Sequence, residues 1–358
     1  MNIVDRYIVR TILGATALVL LVLIALTVFV EFFGQLDDIG EGAYTMLHAA
    51  GYVALRLPRL AVEMLPAAAL LGALLGLGGL AGRSELIAMQ AAGISRLQLA
   101  RGVVLTGVFF AAFMGVVGEY FAPELANYAR QMRAMAKFED LNLRAGNAWL
   151  RDGDVIINMR QSEDEPLDAG IYVYEVGEDR TLRALGRAGH ANPDDDGAWL
   201  LSVYQETRFE QLFSDGVVHA SAGLRRLETD MLTEDLINLS VVRPSDLDAR
   251  GLWRYVEYLR ANRLDATAYE VAYWSRLAHI ASAVVMTLLA LPFVFGSLRA
   301  AGAGARLMVG VMIGLGYFLV SRTLANGAVV FNIDPIIVAW TPTALLLTLA
   351  LGGILRNR

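Results

Sequence analysis

Ser84, Glu85, Leu86, Ile87, Met89 and Gly93 form a short stretch whose residue types and spacing point to specific work. Serine suits a helix N-cap, a carboxylate one residue later suits the positive end of the helix dipole, and glycine suits the stop. A helix of about two turns follows, with three large apolar side chains. It can lie against the membrane surface or a neighbouring span. Alternatively, it can dock into a groove on a soluble ATPase, with Glu85 pairing with a basic group there. Residue physics alone leaves both open. Arg130 and Arg133 lie three apart and share a helix face. They can bind the phosphates of an anionic lipid or snorkel to headgroups, and Arg322 faces the same choice. Glu63 reads as a solvated helix terminus.

Catalytic chemistry finds little support. The histidines His48, His190, His219 and His279 are scattered, with no HExxH pair and no GxxxxGK[ST] phosphate loop. With no cysteine, disulfides, thiolate metal sites and cysteine nucleophiles are excluded together. The chain reads as non-enzymatic, without cofactor or metal of its own. No basic stripe is present, so nucleic acid is not an expected partner.

The elements that position these residues are set by hydropathy. The chain has 358 residues, 56% hydrophobic and only 18% charged, a balance that points to a membrane. A span needs about 20 mostly apolar residues. Six stretches qualify: Thr11–Val30, Leu60–Gly82, Gly102–Tyr120, Leu277–Leu298, Leu307–Ala325 and Pro335–Leu355. The first follows Arg6 and Arg10, as a signal peptide would. However, its uncharged run exceeds an h-region of about 7–15 residues, and no small-residue cleavage pattern follows, so a retained helix is expected. Arg83, Arg96 and Arg101 join spans two and three, Arg299 and Arg306 join four and five, and Arg356 and Arg358 follow six. The positive-inside rule places these loops and both termini in the cytoplasm of a multi-pass membrane protein.

Glycines four apart inside spans, Gly72/Gly76, Gly78/Gly82 and Gly310/Gly314, predict close helix packing. Between spans three and four, Trp149–Met159, Gly170–Val176, Ala198–Glu210 and Val217–Leu227 have strand-like composition. The turns Gly153, Gly177, Asp194–Gly197 and Asp215-Gly216 separate them, which suggests a β-sandwich or jelly roll outside the cytoplasm. Three parts are therefore expected. Residues 1–137 hold spans one to three, with the short helix near 83–93; 138–245 form the β domain; 246–358 carry an amphipathic lead-in helix and spans four to six.

With these motifs assembled, the chain resembles the lipopolysaccharide-export permease family LptF/LptG, in particular its LptG branch. The resemblance rests on Asp5-Arg6-Tyr7-Ile8, on the run Leu70–Gly78, and most of all on Arg83-Ser84-Glu85-Leu86 with Met89-Gln90-Ala91 and Gly93. Gly118-Glu119-Tyr120 with Ala122-Pro123, Tyr255-Val256-Tyr258-Leu259 and Phe295-Gly296-Ser297-Leu298-Arg299 add to it. It implies a multi-pass protein of the bacterial inner (cytoplasmic) membrane, with six transmembrane helices and an inserted periplasmic β-jellyroll. It also implies a second permease like LptF, a dimer of the ATPase LptB that binds ATP and Mg and grips the coupling helix, and the periplasmic proteins LptC and LptA. The substrate would be lipopolysaccharide, extracted from the inner membrane and passed to a periplasmic bridge toward the outer membrane. An alternative is an ATPase-coupled mechanotransmission or scaffold protein that carries no lipid. One departure stands out. Family members can place basic residues near the outer end of span one, where this chain holds Glu31, Asp37, Asp38 and Glu41. Arg130 and Arg133 are therefore expected to meet the substrate's phosphates instead.

Overall fold

The structure, a computed structural model, describes residues 3–40, 43–137, 148–152, 154–160, 170–177, 181–193, 199–210, 217–227, 247–295, 302–331 and 333–356. Glu41, Gly153, Asp194–Gly197, Asp215-Gly216, Gly296–Arg299 and Arg358 lie outside them. The chain divides into two compact units. One comprises Met1–Gly40, Tyr44–Arg133 and Thr267–Arg358; the other comprises Ala134–Ala266 with Glu41–Ala43.

The first unit is a bundle of long apolar helices: α1 (Ile3–Phe33), α2 (Met46–Gly82), the short α3 (Glu85–Ala91) and α4 (Arg96–Val116). Helix α5 (Ala122–Lys137) continues α4 through one π turn, Val117–Phe121. After the second unit come α7 (Thr267–Phe295), α8 (Ala303–Phe331) and α9 (Pro335–Arg356). Among the described residues, six segments are long and apolar enough to cross a membrane. Several outrun the apolar stretches in the sequence: α2, at 37 residues, begins well before Leu60. Hydropathy marks only the hydrocarbon-facing part, whereas backbone hydrogen bonding carries the helix on past it. The π turn has a local cause. Pro123 has no N–H to donate, and its ring would collide with the carbonyl of Glu119, so the helix widens there.

Helix α2 is the hub. Its Gly72 lies against Thr16 of α1 so closely that a Cβ there would collide with backbone, and at Gly76 a Cβ would sit 3.2 Å from the Thr11 carbonyl. From α8, Gly310 would bring a Cβ within 2.5 Å of Leu71. Gly107 fits α4 onto Val284 of α7, and Gly353 fits α9 onto Pro292 of α7. Small residues let backbones approach where lipid supplies no hydrophobic drive between helices. Gly82, by contrast, faces open space. Ile8, Ile12, Leu70, Leu74, Leu77, Leu99, Met114 and Met286 fill the core.

The second unit holds β1 (Ala148–Asp152), β2 (Val155–Arg160), β3 (Gly170–Val176), β4 (Leu182–Ala188), β5 (His190–Pro193), β6 (Trp199–Glu210) and β7 (Val217–Leu227). Among the described residues these seven strands are hydrogen-bonded into one antiparallel sheet. Twelve-residue β6 pairs with β7 along one edge and with β5 and then β4 along the other. A register shift between Leu201 and Tyr204, where Val203 takes φ 55°, marks the bend at which β6 changes neighbour. Ile157, Val173, Ala184, Ala188, Leu201 and Tyr204 are buried. Helix α6 (Ala249–Ala261) completes the unit: Asp248 caps it by accepting from the Gly251 N–H at 2.9 Å, and Leu252, Tyr255, Val256 and Leu259 form its buried face.

Candidate coupling helix and polar clusters

Helix α3 is set by two left-handed residues. Ser84 (φ 61°, ψ 11°) ends α2, its N–H donating to the Ala81 carbonyl at 3.0 Å, while its own carbonyl accepts from Ala88 at 3.0 Å. The sequence suggests a side-chain N-cap at Ser84; the structure corrects this, since the hydroxyl makes no capping bond. The serine acts through its backbone instead, turning the chain at a cost of about 1–2 kcal/mol for a non-glycine residue. At the other end Gly93 (φ 89°) gives a Schellman stop. Ile94 N–H donates to the Met89 carbonyl at 3.1 Å and Gly93 N–H to that of Gln90 at 3.0 Å. Ser95 then opens α4 with a capping box: its hydroxyl accepts from Gln98 N–H at 3.2 Å, and its N–H donates to Gln98 Oε1 at 2.9 Å.

The apolar side chains of α3 divide between two faces. Leu86 is 3% exposed and belongs to the bundle core, and Met89 is half-buried against that core. Leu86 is thus an anchor rather than an exposed knob. Ile87, 41% exposed, points away, flanked by exposed Ala88 and Ala91. A seven-residue helix is too short for its hydrophobic period to separate the two faces from sequence alone. Glu85 sits on the rim: Tyr7 of α1 donates its hydroxyl to Oε2 at 2.7 Å, and the Arg83 guanidinium stands 4.0 Å from Oε1. Tyr7 is the partner of Glu85 that sequence reasoning missed, although Asp5-Arg6-Tyr7-Ile8 was visible as a motif. Its neighbour Ile8 is fully buried beneath Gly102, where a Cβ would come within 3.2 Å.

At the opposite ends of these helices lies a network of charges. Arg56 bonds Glu31 at 2.6 Å, Arg133 bonds Asp38, and both guanidinium carbons lie 5.4 Å from the centre of the Tyr52 ring. Two carboxylates of the acidic stretch are therefore neutralised within the chain. Arg130 donates to Asn127 of its own helix, so Arg130 and Arg133 have different partners despite sharing a face. Arg322 is exposed on α8, 5.9 Å from the Phe318 ring. Glu63 pairs with Arg59 at 3.0 Å rather than standing alone in solvent. Across the π turn, Glu119 meets Arg276 of α7 at 3.3 Å. Arg56 and Arg276 lie in helical extensions that hydropathy does not mark as spans. Among the described residues, no group of three His, Cys, Asp or Glu could hold a metal ion.

The sequence is similar to known proteins along its whole length. The sequence model described as "Lipopolysaccharide export system permease LptF/LptG" matches residues 6–356. The lipopolysaccharide export system permease protein LptG of Haemophilus influenzae is 33% identical over 359 residues, covering 100% of this chain and 99% of that protein. LptG of Escherichia coli K12 is 33% identical over 358 residues, 99% of each chain. LptF of the same strain is 23% identical over 361 residues, 98% of this chain and 93% of its own. A match that runs through both membrane halves and the inserted sheet places the chain in the lipopolysaccharide export permease family LptF/LptG.

Proposed function

We propose that this chain is a permease subunit of an ATP-driven transporter. It would extract lipopolysaccharide from the inner membrane and pass it to a periplasmic bridge toward the outer membrane. It acts beside a second, LptF-like permease and carries no catalytic centre. ATP and Mg are bound by a separate ATPase, an LptB dimer, and the lipid leaves through LptC and LptA. Both termini and α3 face the cytoplasm, and the sheet faces the periplasm, a sidedness that the arginine distribution supports.

One observation carries the reading: a two-turn helix hangs between two apolar spans, anchored by Leu86 and presenting Glu85, Ile87, Ala88 and Ala91 outward. Glu85 supplies an anion, Ile87 a single apolar knob, and the alanines allow close approach. Ser84, Met89 and Gly93 hold that face in shape. Arg130, Arg133 and Arg322 are the candidates for the lipid's phosphates. At Arg133 a phosphate must displace Asp38, which supports an occupied-then-exchanged site rather than an open one.

A photoreactive residue at position 87 tests the reading. It crosslinks to the ATPase in the assembled complex, and Glu85→Lys abolishes both assembly and export of lipopolysaccharide to the cell surface. Export that persists with Glu85→Lys rules the docking role out.

A further inference from the structure

Tyr7 has no part in the motif logic of α3, yet its hydroxyl is the one hydrogen-bond donor shown on Glu85, at 2.7 Å to Oε2. Its ring is 41% exposed, so it is not there to fill the core. The next residue, Ile8, is fully buried, and so is Ile12 one turn on; α1 is therefore held firmly where Tyr7 projects. Glu85 would otherwise move among rotamers. Arg83, which is 79% exposed at its side chain, stands 4.0 Å from the other oxygen and competes for the carboxylate. A carboxylate has acceptor capacity on both oxygens. The Tyr7 bond fixes Oε2 toward α1 and leaves Oε1 turned outward for a cationic group of the partner.

From this geometry we infer that Tyr7 is a positioning residue for Glu85, and that the Tyr7–Glu85 bond is the tie through which thrust on α3 enters span one. The inference rests on the docking reading of α3. Leu86 transmits load only into the bundle core as a whole, whereas Tyr7 joins the docking helix to one particular span. That span meets α2 at Gly72 and Gly76 and seats Ile8 and Ile12 in the same core as Leu70, Leu74 and Leu77. A pull at Tyr7 is therefore delivered to α1 beside its buried turns.

The test uses the full complex, with the second permease and the ATPase, reconstituted in proteoliposomes containing lipopolysaccharide. Tyr7→Phe keeps the ring and removes the donor. The melting temperature is expected to stay at the wild-type value and the ATPase to remain bound, while lipopolysaccharide extracted per ATP falls about fivefold or more, the factor that a lost hydrogen bond carries. A 3-fluorotyrosine at position 7 retains a donor and keeps wild-type coupling, which a purely steric role for the ring would not distinguish from Phe. Glu85→Gln keeps the acceptor for Tyr7 but loses the charge, so it weakens ATPase assembly. Tyr7→Phe added to Glu85→Gln keeps its full effect on extraction per ATP, because the acceptor remains, whereas added to Glu85→Ala it has none. If Tyr7→Phe leaves extraction per ATP unchanged while Glu85→Gln impairs assembly, the tie is overturned and the docking role stands. If neither variant has an effect, docking through Glu85 itself fails.

Discussion

At the scale of single residues, the charges at the far ends of the helices change meaning once their partners are known. Asp38 resembles an unwelcome acid in the sequence; in the structure it neutralises Arg133, and Glu31 does the same for Arg56. Both pairs are part-buried, with only 16% of the Asp38 side chain exposed, so loss of one partner also costs stability and each variant is read beside its melting temperature. Asp38→Asn should increase crosslinking of lipopolysaccharide to a probe beside Arg133, and Arg133→Glu should reduce it. Combining Asp38→Arg with Arg133→Asp restores the ion pair and the melting temperature. If Arg133 meets the lipid, crosslinking stays low in that swap; full recovery of crosslinking would assign Arg133 a structural role only. None of this could be read from the chain, because Arg133 and Asp38 lie 95 residues apart and nothing local links them. Glu85 and Gly93 were legible because capping and dipole preferences act within one turn. Tyr7, 78 residues from Glu85, was not.

At the scale of elements, legibility follows the range of the forces involved. Apolar runs announce the spans, and the pairs Gly72/Gly76 and Gly310/Gly314 announce helix contacts, whereas Gly82 of the third pair faces open space. Strands β4 and β5 were missed for a different reason. Leu182–Ala188 carries two arginines and a glycine and shows no clean alternation. Gly186 is there to admit the ring of Tyr204 from β6, a tertiary demand with no local signal. The glycines of α2 give a graded prediction. Gly72→Val inserts bulk against the backbone of α1 and should destabilise the bundle by about 1–3 kcal/mol, as overpacking generally does. Gly82→Val, on the same helix but facing open space, should leave thermal stability nearly unchanged. Equal melting temperatures for the two variants would refute the close α1–α2 contact.

At the scale of the whole molecule, the proposed thrust on α3 would enter α1 and shift it against α2. The two helices meet at Gly72 and Gly76 and share a core that holds Ile8 and Ile12, and α1 is tied by Glu31–Arg56 at one end and Tyr7–Glu85 at the other. Its remaining face exposes Leu18, Leu21, Val22, Leu26, Phe29 and Val30, a surface suited to lipid or a second permease. The absence of cysteine makes this motion testable with one engineered bridge. A Cβ at Gly76 would lie 3.5 Å from that of Ala15, within the range of about 3.5–4.5 Å that a disulfide spans. Oxidised Ala15→Cys/Gly76→Cys should keep its ATPase bound at α3 and still turn over ATP, yet cease to extract lipopolysaccharide, and reductant should restore extraction. Transport that continues at the wild-type rate through the closed disulfide would mean that α1 and α2 work as one rigid body, and the thrust from α3 would have to reach the lipid by another span.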